Sequence, residues 1–316
     1  MQPIDTDHLL DRATAAARRR TPDAELRGLR RLEGGVSSLT FASTLVGDRE
    51  DKPIVLKVAP AGLAPVRNRD VLRQVQALRA VGRLPGFPVP DVLFSDNGNP
   101  PEEPPLFAMT LCPGESYEPL LDVSDNPPDA STVAERARAA TRALARLQAL
   151  TPHALGLGGE PVAAVDDELE RWRRLFETVD PDIAPGQEKL HARLVERVPR
   201  SLAPRLLHGD YRLANMLFEG PELAAVIDWE IWSVGDPRSD LAWMLMHLEP
   251  ATFSTRNVRP PTGKLGPCYR AVMTSCRSMP PCGEQQEPTS GPWRRWGRTS
   301  PGSSGSATTR RPRPSP

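Results

Sequence analysis

Between residues 208 and 230 lies a set of polar side chains whose types and spacing suit phosphoryl transfer. His208-Gly209-Asp210-Tyr211-Arg212-Leu213-Ala214-Asn215 comes first, and Asp228-Trp229-Glu230 closes the apolar run Leu223-Ala224-Ala225-Val226-Ile227. Transfer to a hydroxyl needs a carboxylate that orients the attacking oxygen and accepts its proton. It also needs hard oxygen donors, such as an amide and a second carboxylate, to hold Mg²⁺ on the phosphates. Asp210 can be that base, with Asn215 and Asp228 as the metal ligands. Taken singly, each has an ordinary explanation: Asp210 and Asn215 as a capped surface turn, Asp228 as a strand-end carboxylate. Their order and the strand-like run before Asp228 favour the chemical reading.

A nucleotide needs its own anchors. Lys57 stands inside the apolar run Ile54-Val55-Leu56-Lys57-Val58, in a chain with only four Lys. A lysine on such a strand can pair with the α- and β-phosphates, as it does in kinases. The other reading is an edge-strand lysine facing solvent. Gly34, Gly35, Ser37 and Ser38 fall between two strand-like segments, where a turn can lay amides and hydroxyls over phosphates; an ordinary hairpin uses the same residues. Leu106-Phe107-Ala108-Met109, leading into Pro113-Gly114-Glu115, fits a strand and hinge that hold adenine through backbone groups, with Met109 at its end. A plain buried strand and turn fits equally. A metal-dependent hydrolase around His208 and Asp210 is a weaker alternative, because His8, His153, His191 and His247 have no ligand spacing to them.

These residues need a scaffold. Strand-like segments occupy Leu26–Leu32, Leu39–Val46, Pro53–Val58, Asp91–Ser95 and Leu106–Leu111, with one helical period at Asn68–Val81. Helical patterns then dominate: Ser131–Leu150 with Ser131 as N-cap, Val165–Val179, Gln187–Val198, and Asp236–Leu248 with Asp236 as N-cap and Pro237 behind it. The expectation is an α+β two-lobed fold. Residues 1–111 form the sheet-rich, nucleotide-binding lobe and residues 112–255 the helical lobe with the catalytic and metal-binding loops.

The last 61 residues differ. Residues 256–316 hold eleven Pro and ten Arg without helical or strand period, which implies a disordered tail or an out-of-frame reading of a GC-rich gene. Basic and acidic residues total 40 each. The tail nevertheless carries about nine net positive charges and the first 255 residues about nine negative. An acidic body gives no reason to expect nucleic acid. Met1 to Asp11 lacks an apolar leader pattern, and no stretch reaches the ~20 apolar residues of a membrane span. A cytoplasmic, soluble protein with no membrane partner is the expectation.

From Leu207 to Trp243, including Gly235-Asp236-Pro237 and Asp240-Leu241-Ala242, the sequence resembles the aminoglycoside phosphotransferase/choline kinase-like family. The resemblance implies a protein-kinase-like fold and an ATP-dependent enzyme that phosphorylates a hydroxyl of a small molecule. In it Asp210 is the catalytic base, Asn215 and Asp228 bind Mg²⁺, and Asp236 and Asp240 brace the loops. It extends over roughly Leu26 to Glu249. One departure is Gln74, which stands where the family carries a Glu that pairs with the strand lysine; Asp70, one turn earlier, is the possible substitute. This departure and the altered C-terminus motivate a second reading, a catalytically impaired nucleotide-binding or scaffold protein.

Overall fold

The structure is a computed structural model and describes residues 5–32, 37–47, 50–120 and 126–248. Helix α1 (Thr6–Arg18) leads into strands β1 (Glu25–Leu32), β2 (Leu39–Val46) and β3 (Lys52–Val58). Helix α2 (Val71–Val81), β4 (Val92–Asp96) and β5 (Leu106–Thr110) follow. The five strands form one antiparallel sheet in the order β1-β2-β3-β5-β4.

The alternation of a pleated strand decides which side chains reach which face. On β3, Ile54, Leu56 and Val58 pack with Leu9, Ala13 and Ala16 of α1. Val55 joins the core formed with Val71, Val75 and Leu78 of α2. Lys57 has the same parity as Val55, so the pleat turns it toward α2 and the second lobe. The apolar strand that predicts burial thus also aims the ammonium inward.

Helix α2 begins later than its periodicity suggests, because Asp70 takes the N-cap and accepts the backbone N–H groups of Leu72 and Arg73. Residues 67–69 form a 3-10 turn instead. The first helix of the second lobe, α3 (Ala130–Gln148), is capped by Asp129 and not by Ser131. Both residues can cap, and the one at the helix boundary does so.

The second lobe continues through β6 (Val162–Ala163), α4 (Val165–Phe176), α5 (Gln187–Val195), β7 (Arg205–Leu207), β8 (Met216–Glu219), β9 (Glu222–Val226), β10 (Ser233–Gly235) and α6 (Arg238–Leu248). β10 sits between β6 and β7, while β8 and β9 form a separate hairpin. β6 and β10 are too short to show a period in sequence. Its core gathers Val133, Ala137 and Leu144 of α3 around Leu206, Tyr211 and Trp229, with the Tyr211 hydroxyl donating to the Ala140 carbonyl at 2.7 Å. α4 and α5 contribute no buried residue among those described and leave Trp172, Leu190 and Leu194 exposed.

The crossing between lobes is tightly fixed. Gly114 has φ +104°, and a Cβ there would lie 2.8 Å from the Phe218 carbonyl oxygen. Glu115 and Phe218 exchange two backbone hydrogen bonds of 3.0 and 2.9 Å. Buried Arg136 of α3 donates to Glu115 and to the Gly220 carbonyl at 2.8 and 2.7 Å. The hinge therefore rests on the β8–β9 hairpin. The expected tail, from residue 256, lies outside the described residues.

Candidate active site

The hairpin explains how Asn215 and Asp228 meet. Met216 pairs with Val226 at its open end, so Asn215 enters one strand as Ile227 leaves the other, and the Ile227 N–H donates to the Asn215 carbonyl at 3.0 Å. Asp228 follows with φ +65°, a left-handed conformation costly for most side chains but one that Asp and Asn tolerate. Its carboxylate meets Lys57 Nζ at 2.7 Å. Lys57 also donates to Gln74 Oε1 at 3.2 Å. Asp70, the other candidate partner for this lysine, is spent on the α2 N-terminus; the structure assigns the contact to Gln74.

Asp210 is held by donors on every side. Asn215 Nδ2 donates to its Oδ2 at 2.7 Å, Trp243 Nε1 to its Oδ1 at 2.6 Å, and Arg212 Nε reaches both oxygens at 3.0 and 3.2 Å. Burial pushes the carboxyl up, but Trp243, Arg212 and Asn215 together hold it below the usual carboxylate range. It is therefore anionic at neutral pH and oriented. With its Nδ2 engaged by Asp210, Asn215 keeps its amide oxygen for another partner. Arg212 Nη1 extends the chain of contacts to Glu118 at 3.2 Å.

The loop carrying Asp210 is positioned from behind. His208 is fully buried; its Nδ1 accepts the Asp210 N–H at 3.2 Å, which leaves Nε2 as the donor to the Ile227 carbonyl at 2.8 Å. Asp240 of α6 accepts the His208 and Gly209 N–H groups at 2.7 and 2.9 Å. Asp236 accepts from Leu202 and Arg238 backbone amides, and the Arg238 guanidinium holds its carboxyl down at about 2. Gly209, at φ +89°, passes so close to residue 231 that a Cβ would lie 2.5 Å from the Ile231 carbonyl oxygen. Asp240→Asn replaces one acceptor by a donor facing a buried N–H. We expect it to cost about 3 kcal/mol, read as a lower midpoint in denaturant unfolding at unchanged slope.

Several predicted site residues are joined by a chain of contacts, Lys57 to Asp228 and Asn215 to Asp210, with the Ile227–Asn215 backbone bond between the two pairs. Asp210, Asn215, Asp228 and Lys57 converge. Ser37 Oγ donates to Glu230, tying the turn before β2 to the loop after Asp228. Burial and the Asp228 charge push the Glu230 carboxyl above its ordinary range. Ser38 is buried at the same turn, Met109 pairs with Val55 one residue before the end of β5, and Gly34 and Gly35 lie outside the described residues. Sequence spacing missed Glu230, Trp243 and Glu118. Arg212 and Glu230 each lie two residues after a motif carboxylate, and Trp243 closes the stretch that carries the family resemblance, but sequence assigned none of them a role.

The oxygen donors suit a hard cation. Asp228 offers a carboxylate and Asn215 an amide oxygen, the donor types Mg²⁺ takes alongside phosphates and water. Among the described residues no group of three or more His, Cys, Asp or Glu is placed to hold a metal alone. No helix among them is long and apolar enough to cross a membrane.

Comparison with known proteins agrees with this architecture. The model of the phosphotransferase enzyme family matches residues 28–259. Acyl-CoA dehydrogenase family member 10 of Mus musculus is 28% identical over 208 residues, which are 64% of this chain but only 19% of that protein. Viomycin phosphotransferase of Streptomyces vinaceus is 29% identical over 183 residues, 54% of this chain and 60% of its own. The streptomycin–ATP complex of the aminoglycoside phosphotransferase APH(2")-IIa superposes with a TM-score of 0.55 at 18% identity, covering 88% of this chain and 86% of that one. The fold is the protein-kinase-like two-lobed α+β architecture.

Proposed function

The chain belongs to the phosphotransferase enzyme family, and from that premise we propose that it transfers the γ-phosphate of Mg-ATP to a hydroxyl of a small molecule. The observation that carries this reading is the chain of contacts that joins Lys57, Asp228, Asn215 and Asp210 from elements far apart in the sequence.

In this reading Asp210 orients the acceptor hydroxyl and takes its proton as the oxygen attacks phosphorus. Its low basicity suits a loose transition state, in which the proton leaves late and positioning does most of the work. Lys57 turns from Asp228 to the α- and β-phosphates when nucleotide enters. Asp228 and the Asn215 amide oxygen would hold Mg²⁺, which neutralises charge on the phosphates when bound. Ser37 and Ser38, with Gly34 and Gly35, would cover the phosphates, and the β5 strand at Met109 would border the adenine. The relative named viomycin phosphotransferase supports a small polar acceptor.

A second reading, a nucleotide-binding protein without turnover, is favoured by one observation: the uncharged Gln74 beside Lys57. Thermal-shift titration with Mg-ATP, run beside ADP release over a panel of amino sugars, choline, sugars and hydroxyacyl thioesters, separates the two. We expect stabilisation by Mg-ATP and acceptor-dependent ADP release. Stabilisation without release on any hydroxyl compound would favour the second reading, and no stabilisation would overturn both.

A further inference from the structure

Gln74 poses a physical problem. A carboxylate at this position would draw α2 onto the sheet through Lys57, whereas an amide gives only a weaker bond with no net charge. Gln74 is 2% exposed, and its Nε2 has no hydrogen-bond partner among the described residues. Something else must fix the helix.

We propose that Arg73 is a positioning residue, the centre of a latch that clamps α2 to the loop following Asp228 and takes over the task of the absent acidic partner. Its Nη2 donates to the Trp232 carbonyl at 3.2 Å, and its guanidinium lies 4.2 Å from the Trp232 ring centroid. The contact is reciprocal, since Trp232 Nε1 donates to the Arg73 carbonyl at 2.7 Å. Arg73 Nη1 also reaches Glu160 at 3.1 Å, and Gln76, on the same helix, donates to the other Glu160 oxygen at 2.9 Å. Trp232 is buried and lies four residues beyond Asp228. The latch thus joins the helix that carries Gln74 to the loop that carries Asp228, and both of those residues hold Lys57. A stacked guanidinium whose two Nη groups hold two different acceptors resists sliding of the helix as a point charge cannot. The charged contact of α2 is thus at Arg73, one residue before Gln74, and it acts between helix and loop, not between helix and strand.

The inference rests on the reading of Lys57 as a phosphate anchor, so the test has one arm that uses nucleotide and one that does not. Full-length wild type, R73Q, Q74E and the double variant are compared by amide hydrogen exchange of α2 without nucleotide and by Mg-ATP titration. We expect R73Q to speed exchange at residues 75–78 about tenfold and to weaken Mg-ATP about tenfold, with Q74E restoring affinity in the R73Q background to within about threefold. That rescue separates positioning from general loss of folding. If R73Q does not fold, Trp232→Phe, which keeps the ring and drops the indole donor, must show the same faster exchange. Unchanged exchange in α2, or no rescue by Q74E, overturns the proposal. Faster exchange in R73Q with a wild type that binds no Mg-ATP upholds the latch and removes the phosphotransferase reading instead.

Discussion

Asp210→Asn lowers the phosphoryl-transfer rate about a thousandfold while leaving Mg-ATP affinity within a few-fold of wild type. The asymmetry follows from the contacts. Asp210 touches Asn215, Trp243 and Arg212, and none of its bonds reaches Lys57 or Asp228. An amide keeps the shape and can still accept from one donor, but it cannot take the proton of an attacking hydroxyl. Single-turnover rates and nucleotide titration of the variant check both halves. A variant that transfers phosphate at the wild-type rate removes Asp210 as base.

The pH profile of the wild type supplies an independent check. A carboxyl held below its usual range stays ionised as pH falls and loses its charge only below the ordinary carboxylate pKa, near 4. The rate should therefore show no acid limb between about pH 5 and 7 that originates in Asp210. Glu230 behaves oppositely, since burial and the Asp228 charge raise it. An acid limb above the ordinary carboxylate range that disappears in Glu230→Gln would give Glu230 a part in the chemistry.

How legible the site was in the sequence depended on distance along the chain. Asp210, Asn215 and Asp228 share one loop and one hairpin, so their spacing is the geometry. Lys57 was legible because it interrupts an apolar run in a chain with only four Lys, and in the fold strand parity turns it with Val55 toward α2. Glu230 was not, since its contact with Ser37 joins residues 193 apart, and no local period encodes such a contact. The Trp243–Asp210 and Arg212–Glu118 bonds are likewise products of the tertiary fold. The same physics explains the misplaced details. Asp70 could have faced Lys57 or capped α2, and with the helix beginning at Val71 its carboxylate is committed to the backbone amides. The strands of the first lobe, seven or eight residues long at β1–β3, read clearly, whereas β6 and β10 exist only because neighbouring backbone completes them.

Asp228→Asn is the second large effect, and it separates charge from backbone. At φ +65° most residues are strained by roughly 1 kcal/mol or more, but Asn accepts the left-handed region, so the variant keeps the loop and removes one negative charge. Two losses follow. Lys57, buried in the sheet, is left with amide oxygens and no counter-charge, which we expect to lower stability by about 1–2 kcal/mol. That is less than the loss for a fully enclosed pair, because the Asp228 side chain is 36% exposed and partly screened. The cation site loses its carboxylate, which should cut kcat/KM for Mg-ATP at least about a hundredfold. Raising Mg²⁺ distinguishes the causes. Saturating metal restores part of the activity if Asp228 acts as a ligand, and restores none if its role is to pair with Lys57. An unchanged Mg²⁺ requirement together with a lowered melting point would make Asp228 a structural counter-ion and move the metal site elsewhere.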